Sequence, residues 1–178
     1  NYYPFITKRF DRTSNGKRIH FASAMTMLGY TDGQDHEDGI SYLELAEFIA
    51  NNGANVNADL EELWRRIVFS ICVSNTEDHL RNHGFILTES GWLLSPAYDI
   101  NPIETGTGLK LNISEHDNSL NLNLAMEVHQ FFRLKKNKAI EIIEQVKTSV
   151  RKWKNIASKH GISKAEQELK AIAFRQSE

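Results

Sequence analysis

The chain has 178 residues, which is enough for one domain with a hydrophobic core or for one lobe of a larger protein. Its hydrophobic content of 40%, charged content of 25% and net charge of −2 are those of an ordinary soluble globular protein, and no apolar run reaches the roughly 18–20 residues of a membrane span. The one cysteine, Cys72, excludes an internal disulfide bond and suits a reducing compartment, so we expect a cytoplasmic protein.

Charge is distributed unevenly along the chain. Residues 1–132 carry 9 basic and 18 acidic side chains, whereas residues 133–178 carry 12 basic and 5 acidic ones. A basic tail of this kind can meet nucleic acid or an acidic partner, although solvated helix faces are the commoner explanation.

The N-terminal part is predicted to contain only short elements. Residues 3–11 favour a short strand, because Pro4 disfavours a helix and the apolar residues after it suit a strand. Residues 13–16 read T-S-N-G, which is typical of a turn. Residues 19–28 are predicted to form a short helix that ends at Gly29, and a polar, acidic loop follows.

Two longer helices and a hairpin come next. A capping box at Ser41 and Glu44, a hydroxyl three residues before a carboxylate, begins a helix that extends to about residue 51. The following helix carries a wide apolar stripe, and residues 84–94 beyond it favour a small hairpin. The stripe repeats at three and four residues and consists of Leu60, Leu63, Trp64, Ile67, Val68, Ile71 and Cys72.

The last third is predicted to be helical, after a functional or connecting loop at residues 96–108. Residues 120–132 form one helix, residues 138–159 form a long one that ends before Gly161, and a second capping box at Ser163 begins a terminal helix. The predicted fold class is therefore mainly α, with a short N-terminal strand and a small β-hairpin. The predicted inner face of the long helix consists of Ile140, Ile143, Val146 or Val150, Trp153 and Ile156.

The strongest concentration of reactive groups lies directly after the striped helix. Residues 75–82 read N-T-E-D-H-L-R-N, and residues 77–82 place two carboxylates, an imidazole, a guanidinium and an amide within six residues. Phosphoryl transfer needs such groups: a carboxylate near the attacking hydroxyl, and an amide oxygen and a second carboxylate on the metal. In protein kinases the base lies five residues before the metal-binding Asn, which is the spacing of Glu77 and Asn82, and Asp99 follows after the hairpin.

This pattern resembles the HipA family, the kinase-like toxins of bacterial toxin–antitoxin systems. The family motif, roughly N/G-x-D-x-H-x-K/R-N followed by a hairpin and P-x-Y-D, is matched by residues 75–82 and by residues 96–99, which read P-A-Y-D. Residues 9–12, R-F-D-R, are similar to the hinge between the family's two lobes, and the tail around Trp153 and residues 161–163 is similar too.

The resemblance implies a metal site and a nucleotide site. Asn82 and Asp99 would be the Mg²⁺ ligands. The hinge would contact ATP, with Lys8 and Phe10 offering backbone groups to adenine and Asp11 reaching the ribose.

The resemblance places the family's catalytic Asp at Glu77, which departs from the family pattern. Glu is one methylene longer, so its carboxylate would lie roughly an ångström away unless the loop adjusts, and a shift of that order can cost about 10²-fold in rate. Asp78 has the family's side chain but lies only four residues before Asn82. The catalytic candidates are therefore Glu77, Asp78 and His79, and His79 would brace the loop or approach the phosphates.

Structural explanations compete with these roles. Asp78 could cap a turn, and His79 and His83 could be structural histidines. A zinc site at His79, His83 and Asp99 is another alternative, because the two histidines are four residues apart, but the adjacent Gly84 and the lack of a helix there disfavour it.

The apparent hinge at the start of the chain bears on the domain organisation. We expect residues 1–12 to be a hinge strand from a missing N-terminal lobe and residues 13–178 to be the C-terminal helical kinase lobe. A kinase also needs a phosphate-covering loop and a Lys on the phosphates, which the family carries in its N-terminal lobe. We therefore expect a truncated or naturally split protein, with little kinase activity from this chain alone.

The resemblance implies a serine/threonine kinase that transfers the γ-phosphoryl group of ATP to a protein hydroxyl with Mg²⁺. The expected partners are a HipB-like helix-turn-helix antitoxin, an N-terminal kinase lobe on the same or a separate chain, and a protein substrate such as an aminoacyl-tRNA synthetase. The chain would contact DNA only through the antitoxin. The alternative is a kinase-like binding module without catalysis, because Glu77 stands where the family has Asp.

Overall fold

The structure, a computed structural model, describes residues 6–178 and consists of helices around one small sheet. The regular elements are β1 (Phe21–Ser23), α1 (Ala24–Leu28), α2 (Tyr42–Asn52), α3 (Val56–Val73), β2 (Gly84–Thr88), β3 (Gly91–Leu94), α4 (Leu122–Val128), α5 (Lys136–Val150), α6 (Trp153–Lys159) and α7 (Lys164–Lys170). Short 3₁₀ segments lie at His36–Asp38, Leu80–Asn82, His129–Phe132 and Ala171–Ser177. The predicted fold class, mainly α with a short strand and a hairpin, is confirmed.

Helix α3 is the centre of the core. Its apolar stripe is completely buried, as the sequence predicts, and it packs against α2, α4, α5 and the C-terminal 3₁₀ segment. Burial raises the pKa of the Cys72 thiol to about 11, which fits an unreactive core cysteine. Within residues 6–178, no helix is long and apolar enough to cross a membrane.

The sheet has three antiparallel strands in the order β1-β2-β3. The predicted hairpin is confirmed as β2 and β3, but the helix predicted over residues 19–28 is only partly correct. Phe21 pairs with Ile86 of β2, so this stretch is a strand, and the helix begins only after Ser23, whose hydroxyl caps the N–H of Thr26. Pairing with a distant strand therefore overrides the local preference. Gly29 ends α1 in the left-handed conformation with φ 78°, as predicted.

The strand predicted at residues 3–11 is wrong over the part that the structure describes. Residues 6–9 have no regular structure, and residues 3–5 lie outside the described residues. Arg12 instead pairs with Arg18 across the predicted turn. The physical reason is local: Asp11 binds its own neighbours, Arg9 and Arg12, and no neighbouring strand pairs with residues 6–9.

The long helix predicted over residues 138–159 is broken into α5 and α6 by a turn at residues 151–152. Ile143, Val146 and Val150 are buried as predicted, because α5 packs on α3. Ile140 is 45% exposed and Ile156 is 52% exposed, so their predicted inward orientation is wrong. The break also changes the neighbour of Trp153, whose half-buried ring stacks on Phe174 at 4.2 Å instead of entering the core.

Two isoleucine substitutions separate core packing from surface exposure. Ile71→Ala in α3 should lower the free energy of unfolding by about 2–5 kcal/mol, because it removes a fully buried side chain and leaves a cavity. Ile140→Ala, on the exposed side of α5, should change it by less than about 0.5 kcal/mol. Urea unfolding followed by circular dichroism measures both, and equal effects would contradict the central position of α3.

Candidate functional site

The motif at residues 75–82 begins where α3 ends. Ser74 adopts the left-handed conformation with φ 49°, and its N–H donates to the carbonyl of Ile71 at 3.3 Å, which closes the helix. A non-glycine residue rarely adopts this conformation, so the turn is held by its surroundings. The chain then passes through the 3₁₀ segment Leu80–Asn82 directly into β2.

Asp78 points inward from this turn and is almost fully buried. Its Oδ2 atom accepts hydrogen bonds from the hydroxyls of Tyr42 at 2.6 Å and Ser70 at 3.2 Å, and its Oδ1 atom lies 3.1 Å from Nε2 of His83. Burial opposes ionisation, but the charge of the adjacent His83 and the hydrogen bonds from Tyr42 and Ser70 outweigh it, so the pKa of Asp78 is lowered. Burial and the charge of Asp78 raise the pKa of Tyr42 well above its ordinary value, which keeps that hydroxyl a donor.

The contact between His83 and Asp78 is electrostatic rather than a well-aligned hydrogen bond. The His83 side chain is only 3% exposed, yet neither ring nitrogen has a hydrogen-bond partner within the described part of the chain. A buried polar group without such a partner costs free energy. The adjacent carboxylate is therefore the interaction that compensates for burying this histidine.

Glu77 faces the opposite way, and its side chain is 56% exposed. One carboxylate oxygen, Oε2, lies 3.0 Å from Nε2 of His79. The carbonyl oxygen of Glu77 accepts bonds from the backbone N–H of His79 at 2.9 Å and from Nδ2 of Asn82 at 3.0 Å. Of the two adjacent carboxylates, Glu77 is thus the one that a substrate could reach, and Asp78 is enclosed by protein.

Asn82, the first predicted metal ligand, has one amide atom engaged and the other unengaged within the described residues. It is buried, and its Nδ2 atom is already committed to the carbonyl of Glu77, which leaves Oδ1 as the free, electron-rich end of the amide. Oxygen atoms of amides and carboxylates are the ligands that Mg²⁺ takes, together with water and substrate phosphates.

The second predicted ligand, Asp99, is exposed on the loop after β3 and has a left-handed backbone with φ 54°. Its Oδ1 atom accepts from Nδ2 of Asn101 at 3.0 Å, so Oδ2 is left for other ligands. The preceding residue, Tyr98, donates its hydroxyl to the carbonyl of Arg81 at 2.7 Å and joins this loop to the motif. Burial raises the pKa of Tyr98 to about 12, so the hydroxyl remains a donor at neutral pH.

The chain after Asp99 is fastened to the start of the motif. The backbone N–H of Asn101 donates to Oδ1 of Asn75 at 3.0 Å, and that of Ile103 donates to the carbonyl of Ser74 at 3.1 Å. Further on, Gly106 lies against Thr76 so closely that a Cβ atom would come within 2.2 Å of the threonine side chain. The two segments that carry the predicted site residues therefore form one packed unit.

Two cavities flank this unit. A small one, about 10 Å³, is the size of a single water molecule, and Asp78, Asn82, His83 and Tyr98 are among its lining residues. A groove of about 430 Å³ runs along the other side of the loop, between α3 and α5, with Ile100 in its wall.

The hinge residues are only partly brought to the site. The ring of Phe10 lies 5.7 Å from that of Tyr98, beside the Asp99 loop, and Lys8 is exposed. Asp11 is already engaged by Arg9 at 2.6 Å and Arg12 at 2.5 Å, and mainly the hydrogen bond from Arg9 lowers the pKa of Asp11 to about 2.

The alternative of a zinc site finds no support in the structure. Among residues 6–178, no three His, Cys, Asp or Glu side chains come together in a way that could hold a metal ion. His83 is turned toward the buried Asp78, whereas Asp99 lies at the surface. A site of one amide and one carboxylate fits Mg²⁺ held partly by phosphates, and does not fit a structural zinc site with four protein ligands.

Several contributors to the site were not singled out from the sequence. Tyr42 and Ser70 hold Asp78 from positions 36 and 8 residues away, and Asn75 and Asn101 join the two segments. Two signals were available in the sequence: Asn75 is the first residue of the motif at residues 75–82, and Asn101 lies two residues after Asp99.

Adjacent acidic residues provide a matched pair of substitutions. Asp78→Asn should lower the free energy of unfolding by about 3 kcal/mol, because it leaves His83 and the hydroxyl of Tyr42 facing a neutral amide inside the protein. Glu77→Gln, at an exposed position, should change it by less than about 0.5 kcal/mol. Urea unfolding at pH 7 measures both, and a larger loss for Glu77→Gln would show that the inward and outward roles are reversed.

The stability difference between the wild type and Asp78→Asn should also depend on pH. Because folding lowers the pKa of Asp78, its ionised side chain stabilises the folded protein fully above the unfolded carboxyl pKa of about 3.9. This stabilisation is lost as the pH falls through the lower pKa of the folded state. Urea unfolding from pH 7 down to about pH 2 should therefore show the two proteins converging in acid. A constant difference throughout would mean that folding does not lower the pKa of Asp78.

Comparisons with known proteins identify relatives of the chain. The chain is 32% identical over 103 residues to a protein of Haemophilus influenzae named "Putative kinase", across 54% of this chain and 30% of that protein. It is 32% identical over 94 residues to "Putative kinase Y4dM" of Sinorhizobium fredii, across 52% of this chain and 22% of that protein. The match thus spans less than a third of either relative.

A solved structure has the same fold. It is HipA from the Shewanella oneidensis MR-1 toxin–antitoxin complex of HipA, HipB and operator DNA, with a TM-score of 0.72, 20% identity, and coverage of 96% of this chain and 46% of that one. The model of the family described as the HipA-like C-terminal domain matches residues 1–153. The chain therefore belongs to the HipA-like C-terminal domain family.

Proposed function

We propose that the chain is the C-terminal lobe of a HipA-like serine/threonine protein kinase toxin, which transfers the γ-phosphoryl group of ATP to a protein hydroxyl. The observation that carries this proposal is the arrangement of Glu77, Asn82 and Asp99. An exposed carboxylate, a free amide oxygen and a second carboxylate lie on two segments that hydrogen bonds fasten together. These are the parts that phosphoryl transfer requires from this lobe of a kinase.

Asn82 and Asp99 would hold Mg²⁺ through Oδ1 of the amide and the carboxylate oxygen that Asn101 leaves free. When bound, the metal ion would neutralise charge that develops on the phosphates. The protein's own contribution is to fix both ligands in advance, which it does by committing the other polar atom of each side chain to a partner within the chain.

Glu77 is the carboxylate placed to accept the proton of the attacking hydroxyl. Its backbone carbonyl is fixed by Asn82, and its side chain is fixed by His79. Asp78, although it has the family's side chain, is proposed to anchor the loop because its oxygens are occupied inside the protein. His79 is then a positioning residue for Glu77.

The nucleotide would approach from the side of the hinge. Phe10 already lies beside Tyr98, so backbone groups of Lys8 and Phe10 could meet adenine near the metal ligands. Asp11 would have to release Arg9 before it could bind a ribose hydroxyl. The phosphate-covering loop and its Lys are proposed to come from an N-terminal lobe, on the same or a separate polypeptide.

Two substitutions test the assigned roles when the chain is supplied with such a lobe. Asp99→Asn should lower the rate of phosphoryl transfer by about 10²-fold or more, because a metal ion supplies several kcal/mol of charge stabilisation. Glu77→Gln should lower kcat by about 10²–10⁴-fold, the usual range for a general base. Transfer of ³²P from ATP to a protein substrate is the measurement, with the exposed Glu89→Gln of the hairpin turn as the control.

The alternative is a kinase-like binding module without catalysis, which the longer side chain of Glu77 favours. Glu77→Asp discriminates between the two functions. If the extra methylene displaces the base of an active kinase, this variant should raise the rate, by up to about 10²-fold. If wild type and Glu77→Asp are both inactive with the lobe supplied, while partner binding is retained, the module is favoured.

We further propose a HipB-like helix-turn-helix antitoxin as the partner, since the similar Shewanella oneidensis HipA was solved with HipB and operator DNA. DNA would be met through the antitoxin, and a translation protein such as an aminoacyl-tRNA synthetase is a candidate substrate. In a gel-shift assay on the antitoxin's operator, the chain alone should leave the duplex unshifted and should slow the antitoxin–DNA band further. A shift by the chain alone would instead assign direct DNA binding to its basic helices.

A further inference from the structure

We propose that Asn75 and Asn101 are positioning residues that hold Asp99 in place as a metal ligand. This inference rests on the proposed function, because it assigns a task toward the Mg²⁺ ion that Asn82 and Asp99 would share. It adds two residues and the hydrogen bonds that connect them to Asp99. The side chain of Asn75 binds the backbone of Asn101, and the side chain of Asn101 binds the carboxylate of Asp99.

The first link is a buried side chain at the start of the motif. Asn75 is completely buried, and its Oδ1 atom accepts the backbone N–H of Asn101 at 3.0 Å across 26 residues of sequence. Its Nδ2 atom points to the hydroxyl of Ser70 at 3.4 Å, and that hydroxyl in turn donates to Asp78. The Asp99 loop is thereby connected to the same buried group that anchors the loop of Glu77.

The second link lies at the surface. Nδ2 of Asn101 donates to Oδ1 of Asp99 at 3.0 Å, which fixes the carboxylate and leaves Oδ2 unengaged. The left-handed backbone of Asp99, with φ 54°, costs free energy that the loop's interior contacts, among them the bond from the Asn101 amide to Asn75, must supply. A freely rotating Asp99 side chain would have to be ordered each time that a metal ion binds.

Asn101 offers the cleaner substitution, because it is exposed whereas Asn75 is in the core. Asn101→Ala keeps the backbone N–H that binds Asn75 but removes the bond to Asp99. Loss of a side chain that orients a metal ligand typically costs 10–100-fold in metal affinity. We therefore expect Asn101→Ala to weaken metal binding about 10-fold without changing the thermal unfolding midpoint appreciably.

The test is a Mn²⁺ titration of the 178-residue chain, with Mn²⁺ as the paramagnetic probe for a Mg²⁺ site. Broadening of backbone amide signals in NMR spectra reports which residues lie near the ion and gives its Kd without any activity assay. Asn123→Ala, at an exposed position in α4, is the matched control. Hydrogen exchange of the Asn101 amide tests the link to Asn75 separately, and it should be slow in the wild type.

Three outcomes decide the inference. Broadening around Asn82 and Asp99 in the wild type, with a Kd about 10-fold higher in Asn101→Ala and unchanged in Asn123→Ala, supports it. Equal Kd values for the wild type and Asn101→Ala, or a fast-exchanging Asn101 amide, overturn it and leave the metal site standing. If the wild type shows no broadening near Asn82 and Asp99, the metal site fails, and this inference fails with it.

Discussion

The buried carboxylate of Asp78 is the constraint on which the rest of the site depends. It joins α2 through Tyr42, α3 through Ser70 and the entry to β2 through His83. A buried charge is tolerated only when hydrogen bonds and opposite charges stabilise it. The three elements must therefore meet at one point for the fold to be stable. The position of the loop between α3 and β2 is therefore set from inside the protein.

Fixing Asp78 inward also determines what its neighbours can do. The backbone turns so that Glu77 emerges at the surface, and the carbonyl of Glu77 then accepts the amide of Asn82. Two adjacent carboxylates thus lie in different environments, one buried in the interior and one exposed to solvent. The sequence alone left both of them as candidates, because spacing cannot tell which of two adjacent side chains faces the core.

The sequence predicts those parts of the molecule that follow from local rules. The stripe from Leu60 to Cys72 requires a buried helix, and the capping box at Ser163 is present as predicted. The predictions fail where a distant segment decides the outcome, as when pairing with β2 makes a strand of Phe21–Ser23. For the same reason, residue types alone were enough to identify the motifs. They could not predict the contact of Tyr42 with Asp78 or of Asn101 with Asn75, because these contacts span 36 and 26 residues of sequence.

The loop after Asp99 is held by an exposed ion pair and by contacts with the protein interior. The burial of these contacts shows which of them determines the geometry of the loop. Glu104 pairs with Lys170 of α7 at 2.7 Å, but both side chains are substantially exposed, and solvent and salt screen such a pair. The bond from the Asn101 amide reaches a fully buried side chain, and Gly106 packs directly on Thr76. The interior contacts therefore position Asp99, whereas the ion pair to α7 adds a weaker, salt-sensitive attachment to the basic C-terminal helices.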